Sequence, residues 1–139
     1  MIKRAYIGGT FDLFHAGHVR LFATAKEKYG YVIVSLNTDE FTERFKRKPI
    51  MSLEERGIMV SSCAYVDEVV INEGGEDSTV AILKTKPDVI LHGDDWTGES
   101  LMRQMGLTEQ FLKDNNITME YEPYTKGIST TGIINRIKV

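Results

Sequence analysis

The chain of 139 residues sets 17 Lys and Arg against 20 Asp and Glu, a formal charge of −3, and 42% of it is hydrophobic. Such a length predicts one domain, 1–139, with a real core but no room for a separate substrate domain, so two substrates would share one crevice. The acidic balance argues against nucleic-acid or membrane-surface binding, and with neither a secretory leader nor an apolar run that could span a bilayer the expected address is the cytoplasm.

The first element is a short apolar strand, Ala5 to Ile7. Directly after it comes Gly8-Gly9-Thr10-Phe11-Asp12-Leu13-Phe14-His15-Ala16-Gly17-His18, the most informative stretch of the chain. A glycine turn lets backbone N–H groups approach an anion closely, and a helix opening near Ala16 or Gly17 aims its positive end at that anion. His15 and His18, three positions apart, share one helical face if the turn has begun, and both can donate to one cluster of oxygens. His-x-x-His spacing also suits zinc, but His92 and Cys63 are the only other histidine and the only cysteine, too few for a complete shell. Asp12 reads equally as a turn cap bonding its own backbone or as a direct participant.

A helix from about Val19 to Tyr29 leads to a second strand, Tyr31 to Leu36. The densest basic run, Arg44-Phe45-Lys46-Arg47-Lys48 before Pro49, reads as a loop. Ser52 and Glu55 form a capping box for a helix from Ser52 to Cys63, where the lone cysteine is expected to be buried and inert. Strands at Val66 to Ile71, Val89 to Leu91 and Thr118 to Tyr121 alternate with helices at Thr79 to Thr85 and Thr108 to Asn115. Between them Gly98 to Gly106 has no clean period and reads as an insertion, a mobile flap or a short interfacial helix. Last, Thr125-Lys126-Gly127-Ile128-Ser129-Thr130-Thr131 runs into Ile133, Ile134 and Ile137. Ser129 is a strong N-cap candidate, and the hydroxyls and unpaired N–H groups of that first turn make a second anion seat.

Strand and helix alternate throughout, which predicts an α/β protein: a five-stranded parallel sheet covered by helices on both faces, a Rossmann-like three-layer α/β/α arrangement. Ligands of such sheets lie beyond the carboxyl ends of the strands, where Gly8 to Thr10, Asn37 to Asp39 and Gly93 to Asp95 emerge. Two anion seats there would grip the two ends of a triphosphate.

The first segment resembles the HxGH signature of the nucleotidyltransferase superfamily, and Gly127-Ile128-Ser129-Thr130-Thr131 resembles its ISTT-type motif. Met51-Ser52-Leu53-Glu54-Glu55-Arg56, Tyr65-Val66-Asp67-Glu68-Val69-Val70 and Gly93-Asp94-Asp95-Trp96 lie between them in the order found in cytidylyltransferases, the glycerol-3-phosphate branch in particular. HxGH alone is shared by adenylyl- and cytidylyltransferases; the three motifs in sequence are far more specific, and the similarity spans nearly the whole chain.

That resemblance implies the HIGH-type nucleotidyltransferase fold and an enzyme that transfers CMP from CTP to a phosphorylated small alcohol, glycerol 3-phosphate first among them, releasing pyrophosphate. An ATP-dependent adenylyltransferase and a non-catalytic nucleotide-binding protein are the alternatives. The attacking acceptor phosphate is already an anion, so no protein nucleophile or strong base is required; catalysis rests on alignment and neutralised charge. The resemblance assigns catalytic roles to His15, His18, Thr10, Arg47 and Arg56, with the basic loop closing over the phosphates. It brings Gly9, Thr10, Phe11, His15, Gly17, His18 and Lys48 to the nucleotide, together with Tyr124, Thr125, Lys126, Gly127, Ile128, Ser129, Thr130 and Thr131, and sets Asp95 and Trp96 beside the nucleoside. Mg²⁺ is the expected cofactor, carried on phosphate and water oxygens without a protein cage. A homodimer is implied as well.

Four positions depart from that pattern. Tyr124 stands where an arginine is usual and Lys126 where a glutamate is, so a neutral ring replaces a guanidinium, with Lys126 two residues away to supply the lost charge. Phe45 and Ser78 stand where the glycerol-phosphate enzymes have lysines that meet the acceptor.

Overall fold

The structure, a computed structural model, describes residues 1–93 and 98–138. Its elements in chain order are β1 (Lys3–Gly9), α1 (Ala16–Tyr29), β2 (Gly30–Asn37), α2 (Asp39–Phe45), α3 (Leu53–Ser61), β3 (Glu68–Asn72), α4 (Thr79–Thr85), β4 (Val89–Gly93), α5 (Gly98–Met105), α6 (Glu109–Asp114), β5 (Thr118–Glu122) and α7 (Thr130–Ile137). The strands form one parallel sheet in the order β3-β2-β1-β4-β5. Strand order reverses between β1 and β4, and the carboxyl ends that flank this switch are the ends at which ligands of such sheets bind.

Parallel strands covered on both faces read as continuous apolar runs, because each face needs its own hydrophobic set. Tyr6, Ile33 and Ile90 face one side and pack with Ala81 and Ile82 of α4, Leu101 and Met105 of α5 and Leu112 of α6. Ile7, Val32, Val34, Leu36 and Leu91 face the other and pack with Phe22 and Ala25 of α1 and Val60 of α3. The three-layer α/β/α arrangement follows directly from that alternation.

The expected strands are all present, each extended by one or two residues at one or both ends, except that β3 begins two residues later than expected. Helix α1 begins three residues before the expected Val19, because His15 is its N-cap. Two elements differ from expectation in kind. The basic run is not wholly loop: α2 takes in Arg44 and Phe45 and ends at its C-cap, Lys46, after starting from Thr38, whose side chain accepts from the Phe41 N–H. Gly98 to Gly106 holds α5, whose Leu101 and Met105 are buried in the core, so this stretch is a packed wall of the fold. Cys63 lies just past α3 and is partly buried against the second core cluster.

Candidate active site

A cavity of about 730 Å³ opens at the carboxyl ends of β1, β2 and β4 and takes in residues from both ends of the chain, Gly8 to Asp12, His15, Gly17 and His18 from the first motif and Tyr124, Thr125 and Ile128 to Thr131 from the last. The two motifs touch. The Thr130 hydroxyl donates to the Asp12 carbonyl at 2.8 Å across 118 positions of sequence. A Cβ built on Gly17 would come within 2.9 Å of the His15 ring and 3.2 Å of the Ile128 side chain, so any larger residue there would press on both segments.

The turn after β1 is built differently from the expectation. Gly8 and Gly9 belong to the strand, and the reversal is carried by Phe11 and Leu13, at φ 54° and 50°, in the left-handed region. Holding two such residues there costs about 1 kcal/mol or more each, so surrounding contacts must impose it. Phe11 sits edge-on to both His18 and Phe22, at 5.2 Å between centroids, and its ring lies so close over Gly9 that a Cβ there would approach it to 2.9 Å. Asp12, 4% exposed, accepts from the N–H groups of Leu13, Ile50 and Met51 and, at 3.4 Å, from Arg47. Its carboxylate thus caps its own turn and also fastens the basic segment after α2 to the site.

The two imidazoles form a capping box. The His15 N–H donates to His18 Nδ1 and the Gly17 N–H donates to His15 Nδ1, both at 3.1 Å, while the rings stack with centroids 3.6 Å apart. Each Nδ1 is therefore an acceptor, so in the neutral ring the proton sits on Nε2. Burial holds the His18 imidazole down at about 3, with the positive charges of a protonated His15 and of Lys46 adding to it and Asp12 opposing; burial lowers His15 too. At neutral pH the site thus holds two neutral N–H donors in fixed tautomers. Because both folded values are depressed, the unfolded chain takes up protons that the fold excludes once pH falls below about 6.5. Stability is therefore complete above that value and declines as pH falls toward the folded values. Thermal melts between pH 8 and 5 should show this loss, and His18→Asn, which keeps an acceptor for the His15 N–H, should shrink it.

The closing motif opens the last helix, where the sequence reading expects the second anion seat. Ser129 caps α7 by accepting from the Gly132 N–H at 2.9 Å, which leaves its O–H to donate beside the first-turn amides of Thr130 and Thr131. Thr130→Val removes the tie to Asp12; the expected cost is about 1 kcal/mol of stability with a several-fold rise in KM for nucleotide, read by a denaturant midpoint and a saturation curve.

Of the remaining residues singled out in the sequence, Arg47 lines the cavity and Lys48, Lys126 and Gly127 do not. Asp95 and Trp96 lie outside the described residues. Tyr124 lines the cavity with its ring over Gly93. Arg56 differs most from its expected role as a phosphate ligand. It is 0% exposed and does not line the cavity. Its guanidinium donates to the Met51, Thr10 and Asn37 carbonyls at 3.1, 2.9 and 2.8 Å and to Asp39 at 2.5 Å. Those four bonds join the site's walls to one another, and the remaining N–H is shut away from the cavity, which makes Arg56 a positioning residue.

Lys46 of the basic run and Asn37 at the ligand edge of the sheet line the cavity as expected, and Arg20, Asn72 and Gln104 line it without having been singled out. Arg20 was within reach of sequence reasoning, since it lies three residues beyond Gly17 on the helix that His15 opens. Asn72 was not, because its part depends on which strands become neighbours: it ends β3 and pairs in register with Asn37 at the end of β2.

Among the described residues no three His, Cys, Asp or Glu side chains gather to hold a metal ion. The buried carboxylate nearest the imidazoles, Asp12, is already committed to three amides and Arg47. This donor set fits a divalent ion that arrives on the phosphates of a nucleotide and not one caged by protein.

Residues 6–136 match the family model described as cytidylyltransferase-like. The chain is 37% identical to glycerol-3-phosphate cytidylyltransferase of Bacillus subtilis (strain 168), over 98% of each protein. It is also 37% identical to FAD synthase of Pyrococcus abyssi, over 96% of this chain and 91% of that one. The solved lipopolysaccharide core biosynthesis protein of Thermoplasma volcanium superposes with a TM-score of 0.73 at 21% identity, covering 92% of this chain and all of that one, a likeness of fold.

Proposed function

The chain belongs to the cytidylyltransferase-like family, and from that premise we propose that it transfers CMP from CTP to glycerol 3-phosphate, forming CDP-glycerol and releasing pyrophosphate. The observation that carries this is the 2.8 Å bond from Thr130 to Asp12, which closes two anion seats around one cavity. Within it the acceptor phosphate oxygen attacks the α-phosphorus in line as the bond to the leaving pyrophosphate breaks. His15 and His18 donate from Nε2 to the α-phosphate and bridging oxygens, and Thr10 adds a hydroxyl. Ser129 with the amides of Thr130 and Thr131 holds the β- and γ-phosphates. Lys46 and Arg47 draw the two anionic substrates together by offsetting their charge. Mg²⁺ carried on phosphate and water oxygens would offset part of the triphosphate's charge.

One domain, 1–139, serves both substrates in this reading, and the setting is the cytoplasm. The working form is a homodimer. Beside the open edge of β3, Ile58, Met59, Tyr65, Ile71, Val80 and Leu83 are all exposed, and light scattering reads the mass they would produce by pairing.

Pyrophosphate release is the direct test, run with CTP and ATP against glycerol 3-phosphate, phosphocholine and phosphoethanolamine. Turnover with CTP and glycerol 3-phosphate is expected, and none with CTP and any of the three would defeat the proposal. Adenylyl transfer from ATP is the second reading, favoured by the equal identity to a protein named FAD synthase. A larger thermal shift with ATP than with CTP would support it.

A further inference from the structure

The cavity runs on past the imidazoles along one face of α1. Gly17 marks that face, since a Cβ built on it would meet Ile128 of the closing motif, and Arg20, Leu21 and Thr24 follow three, four and seven positions on. All three line the cavity, as do Thr125, Ile128 and Ser129 across from them. Of these residues Arg20 alone is charged. Long helical side chains lean toward the helix N-terminus, and from Arg20 that direction leads to the seam between Gly17 and Ile128, where the two motifs meet.

Charge is spread unevenly around the cavity. Among the described lining residues the Lys and Arg side chains are Arg20, Lys46 and Arg47, and the carboxylates are Asp12 and Glu122. Lys46 and Arg47 belong to the segment at the end of α2, where Arg47 meets Asp12. Glu122, at the end of β5, is neutralised by Lys28. Arg4, Arg44, Arg47 and Arg56 each pair with a carboxylate, whereas Arg20 forms no ion pair or hydrogen bond with any described residue. A guanidinium without a counter-charge on the wall of a cavity is suited to an anion that arrives there. The hydroxyls and amides that open α7 are neutral donors. Among the described residues lining that side, Arg20 therefore supplies the full positive charge that an anion seated on them would meet.

We propose that Arg20 is a binding residue for the β- and γ-phosphates of the nucleotide: its guanidinium grips them from α1 against the first turn of α7 and offsets the charge that builds on pyrophosphate as it leaves. This rests on the nucleotidyltransferase reading. The guanidinium stays charged at every working pH and its fork matches two oxygens of a phosphate, whereas the imidazoles, neutral donors through Nε2, serve the α-phosphate.

Calorimetry with CTP and with CMP isolates the contact. In Arg20→Gln, CTP should bind about 10- to 100-fold more weakly, the scale of a hydrogen bond to a charged group, while CMP, which has no β- or γ-phosphate, should stay within about twofold. Arg20→Lys keeps the charge without the fork and should fall between Arg20→Gln and the wild type. Because Arg20 is exposed and glutamine is a good helix former, the melting temperature without ligand should not move. An equal loss for CTP and CMP, or no loss for CTP, would overturn the assignment. Where ATP proves the tighter nucleotide, ATP and AMP replace the pair with the same outcomes. Should neither nucleotide bind, the functional reading fails separately and inorganic pyrophosphate decides: binding that Arg20→Gln weakens supports the inference, and equal binding or none refutes it.

Discussion

His18→Asn is expected to lower kcat by about 10²- to 10³-fold, the loss found when one fixed donor to a developing charge is removed. The substitution separates two roles that alanine would confuse. Asparagine can still accept the His15 N–H in the place of Nδ1, so the start of α1 is kept. Its amide does not reach where Nε2–H stands, so the donor to the reacting phosphate is lost. KM for CTP should move by only a few-fold, since the β- and γ-phosphates remain on the Ser129 side. Removing both imidazoles should cost less than the product of the single effects, because the rings stack at 3.6 Å and each orders the other through the capping box. Steady-state kinetics of the two single variants and the double decide the matter. A loss below about tenfold in His18→Asn would mean that the imidazoles are there to build the turn and not to meet the transition state.

Arg56→Lys should lower stability by about 3 kcal/mol, the scale for breaking a buried pair, and the melting temperature of a chain this size by roughly 10 °C. The argument is one of geometry. The guanidinium fork reaches three carbonyls and the Asp39 carboxylate at once, from a position with no exposure to solvent. A lysine brings one nitrogen on a flexible stem and strands most of those acceptors. Activity should fall as well, because Thr10 and Asn37, two of the carbonyls held, line the cavity. The signature of a positioning residue is that KM for both substrates and kcat change together while the melt shifts. A variant with an unchanged melting temperature and a raised KM for nucleotide alone would instead return Arg56 to the phosphates.

The layered fold was legible because each strand carries an apolar run and each major helix its own cap: Ser52 with Glu55, Ser129 before Thr130. That the opening and closing motifs line one cavity was legible for a related reason, since imidazoles and hydroxyls placed at helix starts stand out over a few residues. What escaped was set by contacts between distant segments. Arg56 looks like one more cation next to a basic run, and only the closure of Met51, Thr10 and Asn37 around it shows that its charge is used internally. Phe11 and Leu13 occupy the left-handed region against their intrinsic preference, so the neighbouring glycines drew the turn to the wrong positions. Helix α2 did carry a signal, Thr38 followed by Asp39 and Glu40, but the basic residues at its far end outweighed it in the sequence. The place of Asn72 in the cavity wall exists only once β3 lies beside β2.

The central claim is that one polyphosphate spans the imidazoles and the hydroxyls of the closing motif. A crystal structure with a non-hydrolysable CTP analogue and Mg²⁺ tests it most directly. The account predicts the α-phosphate within hydrogen-bond distance of Nε2 of His15 and His18, and the β- and γ-phosphates on Ser129 and the amides of Thr130 and Thr131. A triphosphate bound to one of these segments while the other stays clear of it, or bound outside this cavity, would contradict the account.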